Sequence, residues 1–249
     1  MLKLENISVS FGPLDVLKNL SCEVRQGDFI VVVGANGAGK STFFDIIAGK
    51  TKPTRGKIEL EGIDITQTTE IERAILVTRL FQNTHLNSVG SMTVAQNLAL
   101  ALYSRKKASL AHGMKDMPIE KARELLKPLN INTELYLDKP MGSLSGGQRQ
   151  LIAFVMSTLH IPQILLLDEP TAALDPNAAT KLLQFASTFI KQHKITTLMI
   201  THDPHIALSM GNKVWILEDG KITKQYDEAE KKNLNPDKLI GQIDYATLY

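Results

Sequence analysis

A single cysteine stands among 249 residues, so neither a disulfide nor a cysteine-based metal site can be built within one chain. Cys22 lies in an alternating apolar segment, where a cysteine behaves as a small core hydrophobe rather than a reactive thiol. Long hydrophobic runs are also missing. Apolar runs such as residues 29–33 and 164–167 are far shorter than the ~20 residues a membrane-spanning helix needs. The opening Met-Leu-Lys-Leu-Glu-Asn lacks the apolar centre of a secretory signal. The expectation is a cytosolic chain, peripheral to the cytoplasmic face of a membrane if a partner holds it there. A net charge of +2 lacks the strong basic excess that polyanion binders show, so no nucleic-acid partner is expected. With 43% hydrophobic and 22% charged residues, the chain has the composition of a globular protein of one or two domains.

Residues 2–33 alternate apolar and polar, broken by Gly12-Pro13 and Gly27-Asp28, which predicts three strands, the last (29–33) buried on both faces. That strand runs into a glycine-rich loop, and residues 40–48 continue with helical apolar spacing up to Gly49. Residues 56–62 read as a further short strand. Between 92 and 160 the pattern is helical: 94–103, 118–129 with proline in its first turn, and a helix from about Ser145 to Leu159. Alternation then resumes, with strands at 164–167, 196–200 and 214–217 and a helix at 177–192. Trp215 reads as core. Residues 226–249 are polar and too few for a further core. The whole is one α/β domain: core segments 1–91 and 161–225, a helical insertion at 92–160, and a polar tail at 226–249.

Residues 34–42, Gly-Ala-Asn-Gly-Ala-Gly-Lys-Ser-Thr, form a complete phosphate-binding loop between strand and helix. Gly34, Gly37 and Gly39 let backbone amides approach the phosphates of ATP, with Asn36, Ala38 and Thr42 completing the loop. Lys40 reaches the β- and γ-phosphates and the Ser41 hydroxyl ligates Mg²⁺. Asp168 and Glu169 end a buried strand, the edge where parallel sheets place ligands. Asp168 suits the Mg²⁺ shell. Glu169 is positioned to take a proton from the attacking water, as general base. Ser145-Gly146-Gly147-Gln148 opens a helix; alone this is a common cap, but twenty-odd residues before Asp168 it makes a second anion-binding surface.

Together these motifs resemble those of the ATP-binding cassette, or ABC, ATPases, over nearly the whole chain: residues 34–42, Gln82, 144–150, Asp168-Glu169-Pro170-Thr171, Ala173-Leu174-Asp175 and His202. The resemblance implies a P-loop NTPase core with a mixed β-sheet, an N-terminal antiparallel β subdomain and an inserted α-helical subdomain. It implies ATP hydrolysis in a head-to-tail dimer, in which Ser145-Gly146-Gly147 completes the ATP site of a second, identical or paired, subunit. It also implies that Gln82 touches Mg²⁺ and the attacking water, that His202 contacts the γ-phosphate, and that Asp175 lies at the dimer seam. Phe11 stands where the family places an aromatic on adenine; an aromatic packed within the first strand pair is the alternative.

Such subunits drive transport through a separate membrane permease. A soluble ABC ATPase acting on nucleic acid or ribosomes is the other reading, disfavoured by the single cassette, the one cysteine and the lack of long heptads. Residues 83–92 are expected to receive a cytoplasmic helix of the permease, unless they form an ordinary surface loop. Arg105-Lys106-Lys107 and Lys115 are either a solvated face or a contact with lipid headgroups or the membrane subunit. A stand-alone cassette is similar to those of importers fed by a periplasmic binding protein. Residues 91–100, 171–176, 196–202 and 211–213 look like a branch linked to tryptophan or tyrosine uptake.

Overall fold

The computed structural model describes residues 1–103, 124, 126–127 and 136–243. The basic cluster at Arg105-Lys106-Lys107 and most of the helix expected over 118–129 lie outside them. The chain divides into two compact units, one of Met1–Arg79, Pro162–Glu169 and Ile190–Tyr249, the other of Leu80–Ile161 and Pro170–Phe189.

In the first unit, β1 (Leu2–Phe11) pairs antiparallel with β2 (Leu14–Val24) and β4 (Arg55–Leu60), and β5 (Ile63–Asp64) extends the four-stranded sheet in the order β2-β1-β4-β5. Alternate side chains of β1 are buried, as the polar–apolar alternation requires for a sheet covered on one face. The second sheet has the order β10-β9-β3-β8-β7-β6. Here β3 (Phe29–Val33), β7 (Ile164–Asp168) and β8 (Thr196–Ile200) are parallel, and β9 (Lys213–Glu218) runs parallel to β3. The antiparallel strand β10 (Lys221–Tyr226) makes the sheet mixed. All five residues of β3 and of β8 are buried; β3 is accordingly a continuous apolar run, while β8 opens with two buried threonines before Leu-Met-Ile. Helix α1 (Lys40–Ala48) shares one core with strands of both sheets, and its Phe43, Phe44, Ile46 and Ile47 are fully buried. Cys22 and Trp215 are buried as expected, and burial pushes the Cys22 thiol pKa up.

Two short pieces have no clear periodicity in the sequence: α2 (Glu70–Arg73), started by a Thr69–Glu72 capping box, and β6 (Val77–Leu80). In the second unit, α3 (Val94–Tyr103) and α4 (Gly146–Thr158) pack Val94, Leu98, Met141, Leu144, Ile152 and Val155 into one cluster. Most of α5 (Pro176–His193) belongs to this unit, and the Phe185 and Phe189 rings pack edge-on against Phe154, with centroids 5.7 and 6.1 Å away.

The tail is more engaged than its polarity suggests. After α6 (Pro204–Ser209), helices α7 (Glu228–Lys231) and α8 (Pro236–Ile240) follow β10, and Leu239 is fully buried. The Lys231 ammonium, 7% exposed, donates to the carbonyls of Met210 and Gly211 just past the end of α6. Burial pushes its pKa down to about 8, with the Glu228 charge opposing. The unfolded chain therefore binds more protons than the native one between about pH 8 and 10.5, so this group's contribution to stability rises with pH across that window. Over roughly pH 7.5 to 9.5, urea unfolding should show the wild type gaining about 2 kcal/mol relative to Lys231→Met. Parallel pH profiles for the two proteins would refute this.

Candidate active site

The parallel register brings three chain segments to one edge of the sheet. Val32 pairs with Ile200 and Ile200 with Asp168, so Gly34, Glu169 and His202 all emerge just beyond the carboxyl ends of their strands. In an open parallel sheet this edge is where ligands bind.

The glycine loop is built for close approach to an anion. Gly37 and Gly39 have φ of 80° and 100°, the left-handed region that an L side chain rarely adopts. A Cβ on Gly37 would meet no atom within 4 Å, so this side of the loop is open. No side chain caps the N-terminus of α1, whose first amides carry the positive end of the helix dipole. This arrangement fits a phosphate chain. From behind, the Gly220 amide donates to the Ala38 carbonyl at 3.1 Å. Lys40, buried at the start of α1, donates to the carbonyls of Gly34 (2.8 Å) and Ala35 (2.7 Å), which hold its ammonium over the loop. Burial lowers the Lys40 pKa from its ordinary value, while Glu169 and Asp168 oppose that shift, so both carboxylates act electrostatically on the loop lysine.

Glu169 follows β7 in a left-handed backbone conformation, φ 43°, a strained setting for a residue with a Cβ. Its amide donates to the Ile200 carbonyl at 3.1 Å, which fixes the turn. Glu169 Oε2 lies 3.2 Å from Nδ1 of His202. A carboxylate accepts only, so this pairing places a proton on Nδ1 and leaves Nε2 of the exposed imidazole outward. Asp168 accepts from Arg79 Nη2 at 2.6 Å, and the same guanidinium bonds Asp45 on α1. Arg79 is nearly buried; burial alone would lower its pKa, but the bonds to Asp168 and Asp45 outweigh it and raise the value. This ion triad ties β6, β7 and α1 together, and its only trace in the sequence is a cation inside a short apolar strand. Ser41 is exposed at the first turn of α1, and with Asp168 it offers oxygen donors of the kind a hard cation such as Mg²⁺ takes alongside phosphate oxygens. Phe11, at the end of β1, is 53% exposed, so its ring is not packed within the strand pair.

The remaining candidates lie in the second unit. Ser145 is the N-cap of α4 in a reciprocal box: its Oγ accepts from the Gln148 amide at 3.3 Å, and Gln148 Oε1 accepts from the Ser145 amide at 3.2 Å. Gln148 Nε2 also donates to the Tyr136 hydroxyl, so its side chain shapes the cap. A Cβ on Gly147 would fall 2.5 Å from that of Ala178, so only glycine permits α4 to approach α5 there. Asp175 caps α5, its Oδ1 accepting from the amides of Asn177 (3.1 Å) and Ala178 (3.0 Å). Gln82 is exposed in the segment leading to a 3₁₀ turn, Thr84–Asn87.

Comparison with known proteins agrees with this construction. The model of the ABC transporter family matches residues 17–172. The chain is 36% identical to a tyrosine transport ATP-binding protein of Clostridioides difficile, over 99% of this chain and all of that one. It is 35% identical to a thiamine import ATP-binding protein of Shigella boydii, over 90% and 91% of the two. Among solved structures, a dimeric post-hydrolysis state of the ATP-binding cassette MJ0796, bound to ADP and Pi, superposes with a TM-score of 0.76 at 27% identity, covering 92% of this chain and 99% of that one. The chain thus belongs to the ABC transporter family and is an ATP-binding and ATP-hydrolysing cassette.

Proposed function

We propose that this chain is the ATPase subunit of an importer, peripheral on the cytoplasmic face of the cell membrane, where two copies close head-to-tail on ATP and drive a separate permease. The observation that carries the reading is the convergence of Gly34, Asp168, Glu169 and His202 at one sheet edge. Residues 34–42 receive the phosphates, with Lys40 on the β- and γ-oxygens and the Phe11 ring against adenine. Ser41, Asp168 and Gln82 would hold Mg²⁺, which when bound neutralises phosphate charge. Glu169 takes the proton of the attacking water, and His202, oriented by Glu169, meets the γ-phosphate through Nε2. Ser145, Gly146, Gly147 and Gln148 complete the site of the other copy, and Asp175 lies at the dimer seam.

Residues 83–92 offer the permease an apolar surface, since Leu86, Val89 and Met92 are 65%, 39% and 38% exposed. The cargo we infer is an aromatic amino acid, delivered by a substrate-binding protein; the support is the full-length likeness to the tyrosine transport protein. The test of the shared site is Ser145→Ala. ATP binding by the isolated chain should stay within about twofold, while turnover at saturating ATP falls roughly tenfold or more. An equal loss of both would refute a site completed by the second copy. Uptake of labelled tyrosine by cells lacking the gene tests the cargo, and unchanged uptake would remove that assignment.

A further inference from the structure

Between Gln82 and α4 lies a set of polar bonds that none of the roles above uses. The Asn87 side chain pairs with the backbone of Phe81 as a strand would: its Oδ1 accepts from the Phe81 amide and its Nδ2 donates to the Phe81 carbonyl, both at 2.8 Å. Asn87 Nδ2 also donates to Gln150 Oε1, and Gln150 Nε2 donates to the same Phe81 carbonyl, both at 3.2 Å. Gln150 is 1% exposed on α4, five residues from Ser145. Its neighbour Arg149 repeats the connection: Nη1 lies 3.2 Å from Nδ1 of His85, and Nη2 donates to the carbonyls of Gly142 and Leu144, the latter directly before Ser145.

The far end of the segment is held in the same manner. Asn97, fully buried on α3, accepts from the Val89 amide at 2.8 Å and donates to the carbonyls of Val89, Met92 and Thr93. Residues 82–88 are therefore pinned at both ends, and the pin nearest Gln82 is made by Asn87 together with Gln150 of α4. Buried amide networks of this kind, with donors and acceptors matched, rigidify the elements they join.

We infer that Asn87 and Gln150 are positioning residues for Gln82, tying it to the helix that Ser145 leads. This rests on the roles proposed above for Gln82 and Ser145. In a head-to-tail dimer Gln82 serves the chain's own ATP and Ser145 the partner's, so the tie makes one contact follow the other. A surface loop free to move would have no such dependence.

The experiment is a double-mutant cycle on the full chain, with steady-state ATP hydrolysis, binding of a fluorescent ATP analogue and thermal midpoint measured on every protein. Gln82→Ala should slow turnover, which checks the underlying reading. Asn87→Ala, which removes two of the three side-chain bonds to Phe81, should lower kcat roughly ten- to hundredfold, with analogue affinity within about twofold. Asn87→Asp keeps the acceptor for the Phe81 amide and should lie between wild type and Asn87→Ala; it also serves if the alanine variant does not fold. The Gln82→Ala/Asn87→Ala double variant should be no slower than the slower single one, because Asn87 acts through Gln82. If Gln82→Ala is slow while both Asn87 variants turn over normally, or if the two losses multiply, the positioning role is overturned and the role of Gln82 survives. If Gln82→Ala itself hydrolyses normally, both fall.

Discussion

Glu169→Gln should lower the hydrolysis rate by about 10²- to 10⁴-fold, the range general-base removal produces, while ATP still binds. Glutamine keeps the size of the side chain and an oxygen that accepts from His202 Nδ1, so the contact at 3.2 Å survives. It cannot take a proton from water. The left-handed turn, φ 43° with the amide on the Ile200 carbonyl, depends on the backbone and should be retained. The strain of that turn is worth about 1–3 kcal/mol and aims the carboxylate beyond the strand end, beside the loop lysine. With hydrolysis stopped and binding intact, the variant should collect as a closed dimer in ATP, read by size-exclusion chromatography with light scattering. Single-turnover hydrolysis within a few-fold of wild type would remove Glu169 as the base. Glu169→Ala should be slow as well, but it also frees His202 to rotate, so only the glutamine variant isolates the proton transfer.

The parts of this site that the sequence displays are those whose chemistry is local. A strand, a glycine loop and a helix in direct succession can be read from residues 29–48, because turn residues and apolar period lie within one window. Strand β3 is an apolar run for the same reason, and β8 has the expected bounds. Long-range pairing leaves no such trace. Arg79 reaches Asp45 and Asp168, 34 and 89 positions away, and nothing in Val-Thr-Arg-Leu announces it. Strand β6 is four residues long, too short to show a period. Gln148 carries a nucleotide-binding expectation from its motif, whereas its amide bonds also shape the cap of α4. In the polar tail, one leucine and one lysine anchor the chain by contacts that composition averages away.

Arg73 is the extreme case, and its removal carries the largest expected effect on stability. Nothing in Glu-Ile-Glu-Arg marks it as buried, yet it is 1% exposed. Its Nη1 donates to the carbonyls of Ile46 (2.5 Å) and Ile47 (3.0 Å), its Nη2 to those of Ile65 and Thr66, and its Nε to Thr68 Oγ1 at 2.8 Å. Burial lowers its pKa, with Asp64 opposing, and these bonds offset the loss of water around the cation. The first two carbonyls belong to the last turn of α1, where the helix dipole is negative and a cation is favoured. Arg73→Ala strands those acceptors in the core and opens a cavity beside Gly49, at an expected cost of about 3–5 kcal/mol. For a chain of this size that is a fall in thermal midpoint on the order of 10 °C or more. Arg73→Lys keeps the charge but cannot reach both helix and loop carbonyls, so it should recover only part of the loss. Because α1 begins at Lys40 and ends at these carbonyls, saturating ATP should return some of the lost midpoint by binding only the folded form. A midpoint within about 2 °C of wild type would show that α1 does not depend on this anchor.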